Sequence, residues 1–208
     1  MKICPKCSTP NNNFSTKCIS CGHEFKFYIK PHDREELEKI IKELIEDKGA
    51  SCDLNFIDVS EITNMDYLFS EISNTLKYFN GKMDKWDVSN VNSMKGMFEG
   101  SLFRGDFSSW NVSNVVNMSR MFASSDFNGD ISQWDVSSVE DMSYMFNASK
   151  FNMDISKWDV SNVFTMQGMF KHSAFNGDIS NWDVSNVEIM DEMFFGSDFT
   201  GDITKWKN

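Results

Sequence analysis

The sequence predicts an α/β repeat solenoid with a small head. Three observations carry this reading. All six tryptophans, Trp86, Trp110, Trp134, Trp158, Trp182 and Trp206, stand 24 residues apart. Within each interval the apolar spacing changes from strand-like alternation to a helical period. Four of the five cysteines form two C-x-x-C pairs ahead of the array. The chain therefore divides into a metal-binding ribbon (1–25), a strand with an amphipathic capping helix (26–55) and a repeat solenoid (56–208) of seven coils, the first degenerate and the last truncated.

The ribbon comes first in the chain. Cys4-Pro5-Lys6-Cys7 and Cys18-Ile19-Ser20-Cys21-Gly22 are spaced so that four thiolates, Cys4, Cys7, Cys18 and Cys21, can surround one ion tetrahedrally. The pattern is similar to the short zinc ribbons at the N-termini of many bacterial and archaeal proteins. Structural Zn2+ is favoured, with rubredoxin-type iron or a redox pair as the alternatives; the thioredoxin kind of redox pair would require a strand-helix pattern around its C-x-x-C motif, and none is present. Four cysteines close the coordination shell and leave no position for a substrate water, so the metal would hold structure. His23 reads as a surface residue.

Residues 25–29, Phe-Lys-Phe-Tyr-Ile, read as a short strand. Asp33 is a candidate N-cap with Glu36 three residues on, and Leu37, Ile40, Ile41, Leu44 and Ile45 form one apolar stripe that ends near Lys48-Gly49. A helix apolar on one side, ahead of a repeat array, predicts a cap over the first coil. Cys52 has no ionisable partner nearby and reads as a small buried residue.

Residues 57–69 match the repeat with Ile57 where Trp should stand. Five surplus residues follow, between Phe69 and Phe79, and predict an extension on the outside of the first coil. In later units Ile131, Trp134 and Val136 read as a short strand, and Val139, Met142, Met145 and Phe146 as a short helix capped by Ser137. Phe127-Asn128-Gly129-Asp130 is a turn signal. The copying of this template accounts for 19 Phe and 14 Met in 208 residues.

The pattern F-N-G-D-I-S-x-W-D-V-S-N-V-x-x-M-x-x-M-F, over residues 31–206, resembles the BspA-like leucine-rich-repeat surface-protein family of bacteria. The resemblance implies a leucine-rich-repeat-like, right-handed solenoid that acts in adhesion or binding, without catalysis. It also offers the cell surface as an alternative to the cytoplasm, which is the compartment expected from the lack of a signal peptide or an apolar span.

Charge narrows the partners. The net charge is −11, yet residues 1–30 hold five Lys against Glu24 alone. The acidic body disfavours nucleic acid and membrane insertion. The runner-up function, a nucleic-acid-associated regulator, would have to work through Lys2, Lys6, Lys17, Lys26 and Phe14 of the ribbon. The recurring Asp106, Asp130, Asp154, Asp178 and Asp202 suggest Ca2+ between coils, but one Asp per coil is a poor donor set, so calcium is disfavoured. The three histidines have no recurring nucleophile or acid-base partner, which predicts a non-enzyme. A protein partner is expected instead, met by residues that are apolar where sister units are polar: Val116, Tyr144, Phe164 and Phe195. The chain is expected to be a monomer, with an end-to-end dimer as the alternative.

Overall fold

The computed structural model describes residues 2–11, 15, 17–24, 29–73 and 75–206. The strand expected at 25–29 lies outside them except for Ile29, which forms a parallel bridge with Ile57.

The head is built from two tight loops. Strand β1 (Lys2–Ile3) pairs antiparallel with β2 (Pro10–Asn11), and Lys17 bridges Glu24 in the same sense. Each pairing holds the ends of one C-x-x-C loop together. The Cys4 amide donates to Thr9 O at 3.0 Å and the Cys18 amide to His23 O at 2.8 Å. Gly22, at φ +70°, makes the reversal after Cys21, a conformation that glycine adopts without steric cost.

Helix α1 runs Arg34–Lys48. Asp33 Oδ1 accepts from the Glu36 amide at 2.8 Å, and Glu36 Oε2 accepts from the His32 amide at 2.8 Å, a reciprocal pair of caps at the helix start. Gly49, at φ +85°, ends the helix by donating to Ile45 O. Leu37, Ile41, Leu44 and Ile45 are buried in the same core as Leu54, Met65 and Leu68, so the apolar stripe lies against the first unit. Arg34 Nε donates to Asp66 O at 2.6 Å and fixes the helix start to that unit. The surplus after Phe69 contains a single 3-10 turn, Leu76–Tyr78, with Leu76 buried and Tyr78 exposed.

The 24-residue units stack in parallel. Asn64, Ser93, Asn117, Asp141, Thr165 and Ile189 form an unbroken series of parallel bridges. The ladder does not fall on Trp134–Val136, where the sequence predicts a strand, but on the residues after Val139. Nor does the predicted helix form: α1 is the only α-helix among the described residues. From Met142 to Ser149 the amides alternate in what they do. Those of Met142, Tyr144, Phe146 and Ala148 donate to Thr165, Gln167, Met169 and Lys171 of the next unit, at 2.7–3.0 Å. Those of Met145, Asn147 and Ser149 close turns onto Met142, Tyr144 and Phe146. Every second amide thus points to a neighbour, and the i to i−4 bonds of a helix cannot form. Tyr144 and Ala148 adopt φ of 56° and 53°, which also breaks a right-handed helix.

The repeated side chains fill the space between these backbones. Phe69, Phe98, Phe122, Phe146, Phe170 and Phe194 stack at centroid spacings of 5.5–5.9 Å, with ring planes within 9°. Each Trp is buried, or half-buried at Trp206, and donates its indole N–H to a carbonyl of the preceding unit, as Trp134 does to Phe107 O at 3.0 Å. Two asparagine columns join the units outside the core. Asn90, Asn114, Asn162 and Asn186 donate to Ser60, Ser89, Ser137 and Ser161 carbonyls. Asn128, Asn152 and Asn176 accept from the amides of Asn152, Asn176 and Thr200.

Candidate metal centre and binding surface

The two loops of the head bring their sulfurs into one cluster. Cys4, Cys7, Cys18 and Cys21 Sγ all lie within 4.8 Å of one another. Cys7 and Cys18 are 3.4 Å apart, and Cys4 and Cys21 3.7 Å. A tetrahedral ion with metal–sulfur bonds of about 2.3 Å requires sulfurs about 3.8 Å apart, so the donor set fits a metal ion. Cys4 and Cys18 are buried, and the Lys6 amide approaches Cys4 Sγ at 3.4 Å.

The thiols do not share charge evenly. Burial opposes ionisation at Cys18, but the Cys21 and Ser20 amides and the neighbouring sulfurs hold it at about 6. Cys21 receives support from the backbone at His23, yet burial and the three other sulfurs push it up to about 12. Cys7 is lowered, mainly by Thr9. Close thiols that share protons divide in this way, and a bound cation would favour the thiolate at all four. The sequence pattern gave no sign of Asn11, which is buried against the site. Its Oδ1 accepts from the Ile19 amide at 2.9 Å, while its Nδ2 reaches Thr9 O at 2.7 Å and Cys18 Sγ at 3.7 Å. It ties the second loop to the first.

Of the basic residues named for nucleic acid, Lys6 is exposed. Lys17 is paired with Glu24 at 2.8 Å. Phe14 and Lys26 lie outside the described residues. Cys52 is buried, and burial pushes its thiol up.

On the array, the Asp columns are engaged in local turns. Asp130, Asp154, Asp178 and Asp202 accept from the amide two residues on, and backbone bonds of this kind hold these carboxyls below their usual range. Asp135 accepts from both Ser137 Oγ (2.6 Å) and the Ser137 amide (3.1 Å), so the serine expected to cap a helix donates to a turn instead.

The four candidate partner residues separate into two kinds. Val116 and Phe164 share one column with Asn92, Glu140 and Glu188, and both project from the surface. Tyr144 belongs to the column of left-handed residues. Its ring lies over Gly168, where a Cβ would come within 2.4 Å, and Arg120 stacks on it at 4.9 Å. Phe195 is exposed but meets Lys171 at 5.4 Å and the edge of His172 at 5.4 Å. The structure therefore places Val116 and Phe164 two units apart on one column, with Glu140 between them, while Tyr144 and Phe195 contact neighbours of their own.

A profile of the family described as "Mycoplasma protein of unknown function, DUF285" matches residues 37–150 and, overlapping, 123–208. The chain belongs to this family. The DUF285 matches begin inside α1 and take in every unit described above; the cysteine head lies ahead of them. Neither the comparison with curated proteins nor that with solved structures returns a match. Among the described residues of this DUF285 chain, no helix is long and apolar enough to cross a membrane.

Proposed function

We propose that this chain is a non-catalytic protein-binding solenoid of the BspA-like, leucine-rich-repeat type, with right-handed coils and a head held by a structural zinc ion. One observation carries the reading: the residues that repeat are engaged within the stack, while departures from the template at Val116, Phe164 and Phe195 are exposed. Trp and Asn side chains bond the preceding or following unit, and Asp and Ser close turns. Phe and Met fill the core. The repeated side chains thus have roles within the array, and recognition is assigned to positions such as Val116, Phe164 and Phe195. Zinc suits four thiolates at tetrahedral spacing, and it would supply folding free energy to a head with almost no apolar core. A cytoplasmic location is the simpler assignment, with the cell surface as the alternative.

The test places a photo-crosslinking residue at Val116 or Phe195 in the full chain, inside the native cell. A discrete protein adduct from either position is expected. No adduct from either, or one that is removed by nuclease, overturns the reading.

A further inference from the structure

One stripe on the array combines exposed apolar side chains with acids and contains no base. Glu140 N donates to Val116 O, Phe164 N to Glu140 O and Glu188 N to Phe164 O, at 2.8–2.9 Å. Val116, Glu140, Phe164 and Glu188 therefore form one column over four successive units, alternately apolar and acidic. Val116 is 38% exposed and Phe164 44%, and Ile189, adjoining Glu188, is 37% exposed. Residues 114–119, 138–143, 162–167 and 186–191 contain four acids, Glu140, Asp141, Glu188 and Asp191, and no Lys, Arg or His.

Some acids elsewhere are answered by bases. Asp126 meets Arg104 and Lys150, Glu99 meets Arg120, Glu192 meets Lys171, and Glu38 meets Arg34 and Lys42. Among the described residues, none of the four acids on the stripe has an ion-pair partner within 4 Å. Exposed apolar side chains set between unanswered carboxylates are complementary to a partner that is both basic and apolar.

The spacing selects the partner's secondary structure. Parallel-bridged units rise about 4.8 Å each, so like residues on the stripe recur about every 9.6 Å. A helix advances about 10.5 Å in seven residues and returns to the same face, with the intervening position at i+3 or i+4 also on that face. An extended strand covers about 10 Å in three residues, which places its first and last side chains on opposite faces. We propose that the Val116–Glu140–Phe164–Glu188 stripe docks a basic amphipathic helix of a partner protein, with apolar residues seven apart against Val116 and Phe164 and Lys or Arg between them against Glu140 and Glu188. This rests on the protein-binding reading given above.

The test uses the full chain and a fluorescent helical peptide roughly four turns long, with Leu seven residues apart and Arg midway between them and beyond. Saturable binding is expected that weakens about tenfold or more on Phe164→Ser, and again on Glu140→Lys with Glu188→Lys, and that falls with added salt. Leu102→Ser, at an exposed site off the stripe, should leave it unchanged. All of these side chains are exposed, so the variants keep the fold; the thermal transition of each checks this. No binding by the unaltered chain, equal binding by the stripe variants, or equal binding of a peptide with the same residues in scrambled order overturns the proposal. A crosslinked protein adduct that survives Glu140→Lys with Glu188→Lys would overturn it while leaving the protein-binding reading in place.

Discussion

Among the described residues of the head, 2–24, only Cys4, Asn11 and Cys18 are buried, whereas the units beginning at Trp86, Trp110, Trp134 and Trp158 each bury their Trp, two Val, two Met and a Phe. The head has sulfur where the array has rings. A segment with so little apolar area to remove from water cannot offset its conformational entropy by packing. The array distributes its stability over many similar interfaces, and no single one decides whether the rest forms. The difference predicts an all-or-none head beside a graded array.

Metal removal gives the largest expected effect. A structural ion in a small cysteine site contributes on the order of 10 kcal/mol or more. A strong chelator, or Cys18→Ser, should abolish the folded amide signals of Cys4, Cys7, Cys18 and Cys21 in nuclear magnetic resonance spectra. The thermal transition of the array should stay in place, and native mass spectrometry should find one metal ion per untreated chain. A fall of the array transition in step with the head would break the contrast between the two modules.

Trp134→Ala comes next, at about 3–5 kcal/mol, because it leaves a cavity in the stack and removes the indole hydrogen bond to Phe107 O, which then keeps only the Trp110 amide. In a graded array the loss should appear in hydrogen exchange as early opening of the units around 134, with α1 still protected. Uniform loss of protection would show that the array is cooperative throughout.

Gly168→Ala should cost about 1–2 kcal/mol, since φ is +57° and the added carbon meets the Tyr144 ring. Chemical denaturation of Gly168→Ala, Tyr144→Ala and the double variant separates the two causes. Relief of the ring clash should make the double variant less unstable than the sum of the single changes. Additive losses would assign the cost to the backbone alone.

The smallest effect is a gain. Ser138 stands where Asn114, Asn162 and Asn186 each donate to a carbonyl of the preceding unit. Ser138→Asn should complete the column through Ser113 O and stabilise by about 1 kcal/mol, read from the denaturation midpoint. No gain would mean that the local backbone does not present that carbonyl.

Much of this organisation was legible in the residues. The tryptophan period fixed the unit length, the stripe from Leu37 to Ile45 located α1, and the paired C-x-x-C motifs identified the four sulfurs that converge. The path within each unit departs from the strand and helix that its spacing predicts, for a physical reason. Val139, Met142, Met145 and Phe146 recur at helical spacing, but a chain of turns with every second amide aimed at the next unit buries the same positions. Periodicity reports which side chains are inside, not which carbonyl each amide finds. Asn11 escaped notice because a single polar residue carries no pattern.

The sequence by itself determined the repeat, the helix ahead of it and the thiol cluster, because each is written as a spacing between like residues. Only the tertiary structure decided which unusual side chains remain on the surface. Tyr144 and Phe164 look equivalent as aromatic departures from the template, yet Tyr144 lies over Gly168 beneath Arg120 while Phe164 stands beside Glu140 and Glu188. That distinction depends on neighbours 24 residues away in the chain and one hydrogen bond away in space.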